Sequence, residues 1–229
     1  MSKRNVKAII FDLDGTLVDS EPNYYEADRK VLAQYGITGF DLAMKSKYIG
    51  IGAKEMMEDI KVRYKLQETV ENLVSQKNKY YLEIARKNTP VFPEMRKLLG
   101  LLEECQYPLA LASGSSPEVI DVILNGTNLK QYFETVLSAE EVKNGKPAPD
   151  IFLEAARRID VSPAECVVVE DSRYGIMAAK AAGMYCIAIP GLPEAPLAEE
   201  YMTADLLFRK GISEFSAEKA FRWIESSSC

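Results

Sequence analysis

Six short apolar runs, each set apart by stretches of helical spacing or by turns, leave this chain few folds to adopt. They are Val6–Phe11, Tyr107–Ala112, Thr135–Leu137, Cys166–Val169, Tyr185–Ile189 and Ala204–Phe208. Runs that are almost continuously apolar belong to strands buried on both faces, as in a parallel sheet between two layers of helices. The intervening segments carry the matching helical pattern. Met95, Leu98, Leu99 and Leu102 lie on one face behind Pro93, and Val119, Ile120, Ile123 and Leu124 follow Pro117 with Gly126 just past them. Asp150 is placed to cap a helix through Ile159, and Gly183 closes the alanine-rich stretch after Gly175. The expected architecture is a three-layer, Rossmann-like α/β core with a parallel sheet.

One block breaks the alternation. From about Glu21 to Asn88 the spacing is helical throughout, with Tyr24, Ala27, Val31 and Tyr35 on one face and Met56, Met57, Ile60 and Tyr64 on another. Val70, Leu73, Val74, Tyr80, Tyr81 and Ile84 populate a third helix, and Pro90 and Pro93 mark the return to α/β patterning. We therefore expect a small all-helical domain over residues 20–88, inserted after the first strand. The core is then formed by residues 1–19 and 89–229.

Composition removes several chemistries. The 229 residues include no histidine, which excludes Ser-His-Asp and Cys-His nucleophiles and any imidazole-ligated metal. Proton transfer must fall to carboxylates, lysines, thiols or tyrosines. With 28 basic and 34 acidic side chains the net charge is −6, the wrong sign for nonspecific nucleic-acid binding. The first apolar run ends at a carboxylate after a few residues, too short for a signal peptide or a membrane span. The four cysteines are scattered, with no C-x-x-C pair. The expectation is a reduced, cytoplasmic protein with neither nucleic-acid nor membrane partners. Nothing in the sequence fixes the oligomeric state, and a monomer is expected.

The chemistry gathers at strand ends, where ligands of parallel sheets bind. Phe11-Asp12-Leu13-Asp14-Gly15-Thr16 follows the first run directly, so two carboxylates can approach one site across a turn that Gly15 permits. Two such charges repel unless a cation or a proton intervenes, which suits a hard divalent ion such as Mg²⁺. The second run ends in Ser113-Gly114-Ser115, a hydroxyl and backbone N–H groups suited to phosphate oxygens. Lys146 sits in the turn Asn144-Gly145-Lys146-Pro147 and can pair with a phosphate or a carboxylate. Val169-Glu170-Asp171-Ser172 brings a second pair of hard oxygen donors to a strand end.

Taken in order, Asp-x-Asp-Gly-Thr, serine, lysine and Glu-Asp at successive strand ends resemble the motif set of the haloacid dehalogenase superfamily. Within it, the chain resembles the subfamily of β-phosphoglucomutase and small sugar-phosphate phosphatases, whose helical cap lies where the insert falls here. The resemblance implies Asp12 as the nucleophile and Asp14 as the general acid and base. It implies that Ser113, Gly114 and Lys146 hold the phosphoryl oxygens. The Mg²⁺ would be held by Asp12, Glu170, Asp171 and the main-chain carbonyl of Asp14. Dehalogenases lack the second aspartate, so Asp14 points to phosphoryl transfer. The expected partner is a small phosphorylated metabolite.

Hydrolysis and intramolecular transfer share these motifs, and the cap separates them. The mutase carries a histidine twelve residues after its nucleophile, where this chain has Tyr24. It also carries an arginine in a cap turn that corresponds to Tyr48–Lys54, where Ala53 takes the arginine's place and Lys54 follows. Glu21, Tyr24, Gly50, Ile51 and Lys54 are therefore the candidates for substrate selection. A phosphatase is the leading expectation, with a mutase second and a phosphometabolite-binding protein of little turnover as the alternative of another class.

Overall fold

A computed structural model describes residues 5–48, 53–191 and 197–226. Six parallel strands form one sheet: β1 Ala8–Phe11, β2 Leu109–Ser113, β3 Thr135–Ser138, β4 Cys166–Glu170, β5 Tyr185–Ala188 and β6 Leu206–Leu207, in the order β3-β2-β1-β4-β5-β6. The central strand β1 pairs with β2 through Ile9↔Leu109 and with β4 through Ile9↔Val167. The chain order reverses about β1, which makes its carboxyl end a topological switch point.

The apolar runs fold this way because both faces of the sheet are covered. Along one face Ala8, Ile10, Ala110, Ala112, Val168 and Cys186 pack against Ile151, Phe152, Ala155, Ile176 and Ala179. The alternate residues Ile9, Phe11, Leu111, Val167 and Val169 are equally buried. The covering helices α7 (Asp150–Arg158) and α8 (Arg173–Ala181) supply the first of these faces. The remaining core helices are α5 (Pro93–Glu104), α6 (Pro117–Gly126) and α9 (Ala217–Glu225).

Three local expectations are corrected. Asp150 is the first residue of α7 rather than its cap, and its Oδ1 instead accepts hydrogen bonds from the backbone N–H and side-chain amide of Asn144. Gly126 lies inside α6 as its last residue, since nothing in its backbone forces a stop and Thr127 takes the cap position. The last strand is only two residues long, because the Asp205 carboxylate instead accepts from the Cys186 N–H and pairs with Lys180.

The chain divides into two compact units, one formed by Met1–Asp19 with Pro90–Cys229 and the other by Ser20–Thr89. The described secondary structure of the second unit is entirely helical: α1 Glu21–Gln34, α2 Leu42–Lys45, α3 Ala53–Tyr64 and α4 Val70–Ala85. Leu32, Ile37, Phe40, Tyr48, Met56 and Ile60 form one apolar cluster within it, and Val31, Met57 and Leu73 form another.

This unit also buries a charge. Asp28 on α1 is fully inaccessible, and its Oδ2 accepts from Lys45 Nζ at 2.7 Å. Lys77 Nζ lies 3.9 Å from its Oδ1. The largely buried Lys45 ammonium thus faces a buried carboxylate, and removing that carboxylate takes away the charge that offsets it in a medium of low polarity. Asp28→Ala is expected to destabilise the protein by about 3–5 kcal/mol, read from equilibrium urea unfolding. A loss below about 1 kcal/mol, the value of an exposed pair, would show that the pair carries no such weight.

Among the described residues no helix is long and apolar enough to cross a membrane.

Candidate active site

The carboxyl ends of β1, β2 and β4 bring the predicted residues of the core to one place. Asp12 leaves β1 immediately, and its N–H donates to the Val169 carbonyl of β4 at 3.0 Å, which extends the ladder by one residue. Three residues on, Gly15 adopts φ +79°, a backbone conformation that a side chain disfavours. Its position is also crowded, since a Cβ there would stand 2.4 Å from the Asp171 carboxylate.

Lys146 arrives from the loop before α7 and ties the carboxylates together. Its Nζ donates to Asp12 Oδ1 at 2.5 Å and to Glu170 Oε1 at 2.7 Å, and lies 5.0 Å from the centre of the Phe152 ring. Glu170, the last residue of β4, is buried, and its other oxygen accepts from the Ser172 N–H at 2.6 Å and the Ser172 hydroxyl at 3.0 Å. That hydroxyl in turn accepts from the Gly175 N–H as the N-cap of α8. Asp171 accepts from the Thr16 hydroxyl at 3.3 Å, and its backbone carbonyl accepts from the Tyr201 hydroxyl at 2.9 Å.

Asp12, Glu170 and Asp171 offer carboxylate oxygens that all lie within 4.8 Å of one another. Burial pushes the Asp12 carboxyl up to about 7, an effect that Lys146 opposes and the neighbouring Glu170 and Asp14 reinforce. Asp171 is likewise raised well above the ordinary carboxylate range, first by burial and then by Glu170 and Asp12. Burial works against the charge of Lys146, but Asp12 and Glu170 outweigh it and hold the ammonium above the usual lysine range. Three gathered carboxylates against one ammonium leave negative charge uncompensated. The donors are all hard oxygens, the set that suits a small divalent cation such as Mg²⁺.

Asp14 is held differently. It is half-buried, and its Oδ2 accepts from the Ser115 hydroxyl at 2.7 Å. Ser113, at the end of β2, is fully buried, and its Oγ accepts from the Ser115 N–H at 3.0 Å. Gly114 beside it is exposed. Asp12 and Asp14, two residues apart in sequence, therefore stand in distinct environments.

The residues proposed for substrate selection are placed in the helical unit or lie outside the described residues. Tyr24 on α1 is half-buried, its ring stacked on Tyr81 with centroids 4.1 Å apart and Lys77 Nζ 4.8 Å from its centre. Glu21, at the start of α1, and Lys54, near the start of α3, are exposed. Gly50 and Ile51 lie outside the described residues.

Thr16, Ser115, Ser172 and Gly175 were not assigned roles from the sequence. A signal existed for one of them: Ser172, directly after Glu-Asp at a strand end, is a capping residue at a helix start and is placed to bind those carboxylates. Ser115 and Thr16 carry no such mark, because their partners Asp14 and Asp171 lie 101 and 155 residues away in sequence.

Comparison with known proteins fits this geometry. Residues 9–189 match the family model of haloacid dehalogenase-like hydrolases. A phosphorylated carbohydrates phosphatase of Thermotoga maritima is 32% identical over 78% of this chain and 82% of its own length. The β-phosphoglucomutase of Bacillus subtilis is 34% identical over 80% of this chain and 83% of its own. The crystal structure of β-phosphoglucomutase from Clostridium difficile superposes with a TM-score of 0.75 at 26% identity, covering 97% of each chain.

Proposed function

Because the chain belongs to the haloacid dehalogenase-like hydrolase family, we propose that it is a phosphatase acting on a small, sugar-like phosphorylated metabolite. The observation that carries this reading is the separation of the two aspartates. Asp12 is buried and ion-paired to Lys146, whereas Asp14 is half-buried and hydrogen-bonded to Ser115. Hydrolysis of an alkyl phosphate needs one anionic carboxylate to attack and one protonated carboxyl to release the alcohol, and so needs two environments. The similarity to the Thermotoga phosphatase supports the same substrate class.

In this reading an oxygen of Asp12 attacks phosphorus and the bond to the leaving oxygen breaks, giving an aspartyl-phosphate. Asp14 gives its proton to that oxygen. It then takes a proton from water as the water oxygen attacks phosphorus and Asp12 is freed. Ser113, the backbone N–H of Gly114 and Lys146 hold the phosphoryl oxygens, and Lys146 also steadies Asp12. Asp12, Glu170 and Asp171, with the carbonyl of Asp14, are the groups that would hold Mg²⁺. The ion supplies positive charge that reduces the repulsion between an anionic nucleophile and an anionic substrate. Ser20–Thr89 is assigned as the cap, with Glu21, Tyr24, Gly50, Ile51 and Lys54 as its substrate-selecting positions.

The test is phosphate release, in the presence of Mg²⁺, across a panel of sugar and nucleoside monophosphates. A folded protein silent across the panel would favour a phosphometabolite-binding role. The likeness to β-phosphoglucomutases favours a second reading, transfer between positions of one sugar. Tyr24, where the mutase has histidine, weighs against it. Conversion of β-glucose 1-phosphate to glucose 6-phosphate with trace bisphosphate, without matching phosphate release, would establish it.

Metal binding carries a pH dependence of definite sign. With Asp12 raised from 3.8 to about 7, its contribution to stability without metal is fully present below 3.8 and is lost as pH rises through 7. A cation must displace that proton below 7 and meets a ready carboxylate above it. Mg²⁺ should therefore bind about 30-fold more weakly at pH 5.5 than at pH 8, and Asp171 should steepen the dependence. Thermal midpoints with and without Mg²⁺ check this: the upward shift should be clear at pH 8 and small at pH 5.5. Equal shifts would contradict it.

A further inference from the structure

Resting on the phosphatase reading, we propose that Ser115 is a positioning residue that holds the Asp14 carboxyl in register with the phosphoryl group, through the same hydrogen-bonded turn that fixes Ser113. The motif assigns no role to Ser115, yet its backbone is fixed on both sides. Its N–H donates to Ser113 Oγ at 3.0 Å, and its carbonyl accepts from the Ser138 hydroxyl at 2.7 Å. Ser138 is itself anchored: it stands directly opposite Ser113 in the β2–β3 register, and its N–H donates to Glu141 Oε1 at 3.0 Å. From this base the Ser115 hydroxyl reaches Asp14 Oδ2 at 2.7 Å.

The arrangement divides the work of three serine hydroxyls. Ser113 Oγ accepts from the turn and keeps its own proton for a phosphoryl oxygen. Ser138 steadies the turn. Ser115 holds the Asp14 carboxyl by donating to its Oδ2. The carboxyl so held passes its proton to the leaving alcohol as the P–O bond breaks, and takes one from water as the new P–O bond forms. A general acid must stay within about 2.6–3.2 Å of the atom it protonates, and a displacement of about 1 Å costs on the order of 100-fold. Ser115 and Ser113 belong to one turn, so the proton donor and the phosphate clamp share a single reference frame.

This role has a signature that mere structural support lacks. A p-nitrophenolate leaving group needs no proton, whereas a sugar alkoxide does. Ser115→Ala and Ser115→Thr are compared with the wild-type protein on two substrates, a sugar phosphate from the panel and p-nitrophenyl phosphate. Nitrophenolate release is followed in single turnovers with enzyme in excess. Ser115→Ala should lower kcat on the sugar phosphate by about 30-fold or more with KM within about twofold, and leave the nitrophenolate single-turnover rate within about threefold. Ser115→Thr, which retains the hydroxyl, should recover most of the loss. A raised KM with unchanged kcat would make Ser115 a substrate contact, and equal losses on both substrates would make it structural. Either result, or a variant as active as wild type, overturns the proposal alone. A wild-type protein that releases no phosphate from any substrate overturns the phosphatase reading and this proposal together.

Discussion

Asp12→Asn should lower phosphate release by at least about 10⁴-fold while leaving the protein folded, since removing a nucleophile costs on this order and the change is nearly isosteric. The amide cannot attack phosphorus, and no histidine exists anywhere in the chain to take over. Glu170 and Asp171 do not substitute for it: Glu170 is fixed by Lys146 and Ser172, and Asp171 by Thr16. Folding is expected to survive because two opposing effects are removed together. The variant loses the ion pair with Lys146, which retains Glu170 as a partner. It also loses a buried charge whose desolvation raises the Asp12 pKa to about 7. A thermal midpoint within about 5 °C of wild type at pH 8, together with lost turnover, is the expected pair of readings. Residual activity above about one hundredth of wild type would remove Asp12 from the role of nucleophile.

Gly175→Ala should be nearly as damaging, although it adds one methyl group at a residue with no chemistry of its own. A Cβ at this position would lie 1.9 Å from Glu170 Oε1 and 2.0 Å from its carboxyl carbon. The end of a side chain can usually swing away, but this one is 1% exposed and bound by Lys146 and Ser172 at 2.6–3.0 Å. Moving it breaks the hydrogen bonds that orient a proposed metal ligand and one of the two carboxylates facing Lys146. Losses of this kind typically cost 10- to 100-fold in metal affinity or activity. We expect a weaker Mg²⁺ requirement curve, with half-activation shifted upward by about tenfold or more, and partial recovery of kcat at high Mg²⁺. An unchanged half-activation concentration would show that the helix absorbs the methyl group without disturbing Glu170.

These two positions differ in how readily the sequence discloses them. Asp12 stands out because a carboxylate directly after a buried strand is costly unless it serves a ligand, and Asp14 two residues later repeats the signal. Gly175 reads only as a small residue in an alanine-rich helix. Its importance depends on how closely α8 passes the end of β4, which is a matter of packing. Tyr24 is the converse case. Its spacing places it on the apolar face of α1, but the stack on Tyr81 and the proximity of Lys77 belong to the arrangement of α1 against α4.

The core and its chemistry were written locally. Strands buried on both faces must be continuously apolar, parallel sheets place ligands at strand ends, and Asp12, Ser113 and Glu170-Asp171 each follow such a run, while Lys146 sits in a turn marked by Gly145 and Pro147. The sequence by itself thus determined the α/β class and the residues that meet at the carboxyl edge of the sheet. Only the tertiary structure decided how they are held: Lys146 between Asp12 and Glu170, Ser115 on Asp14, Thr16 on Asp171, and Asp28 sunk between two lysines. The physical reason is range. Burial and periodicity act over a few residues and leave their pattern in the chain, whereas these hydrogen bonds and ion pairs join groups brought together only when the strands and helices have packed.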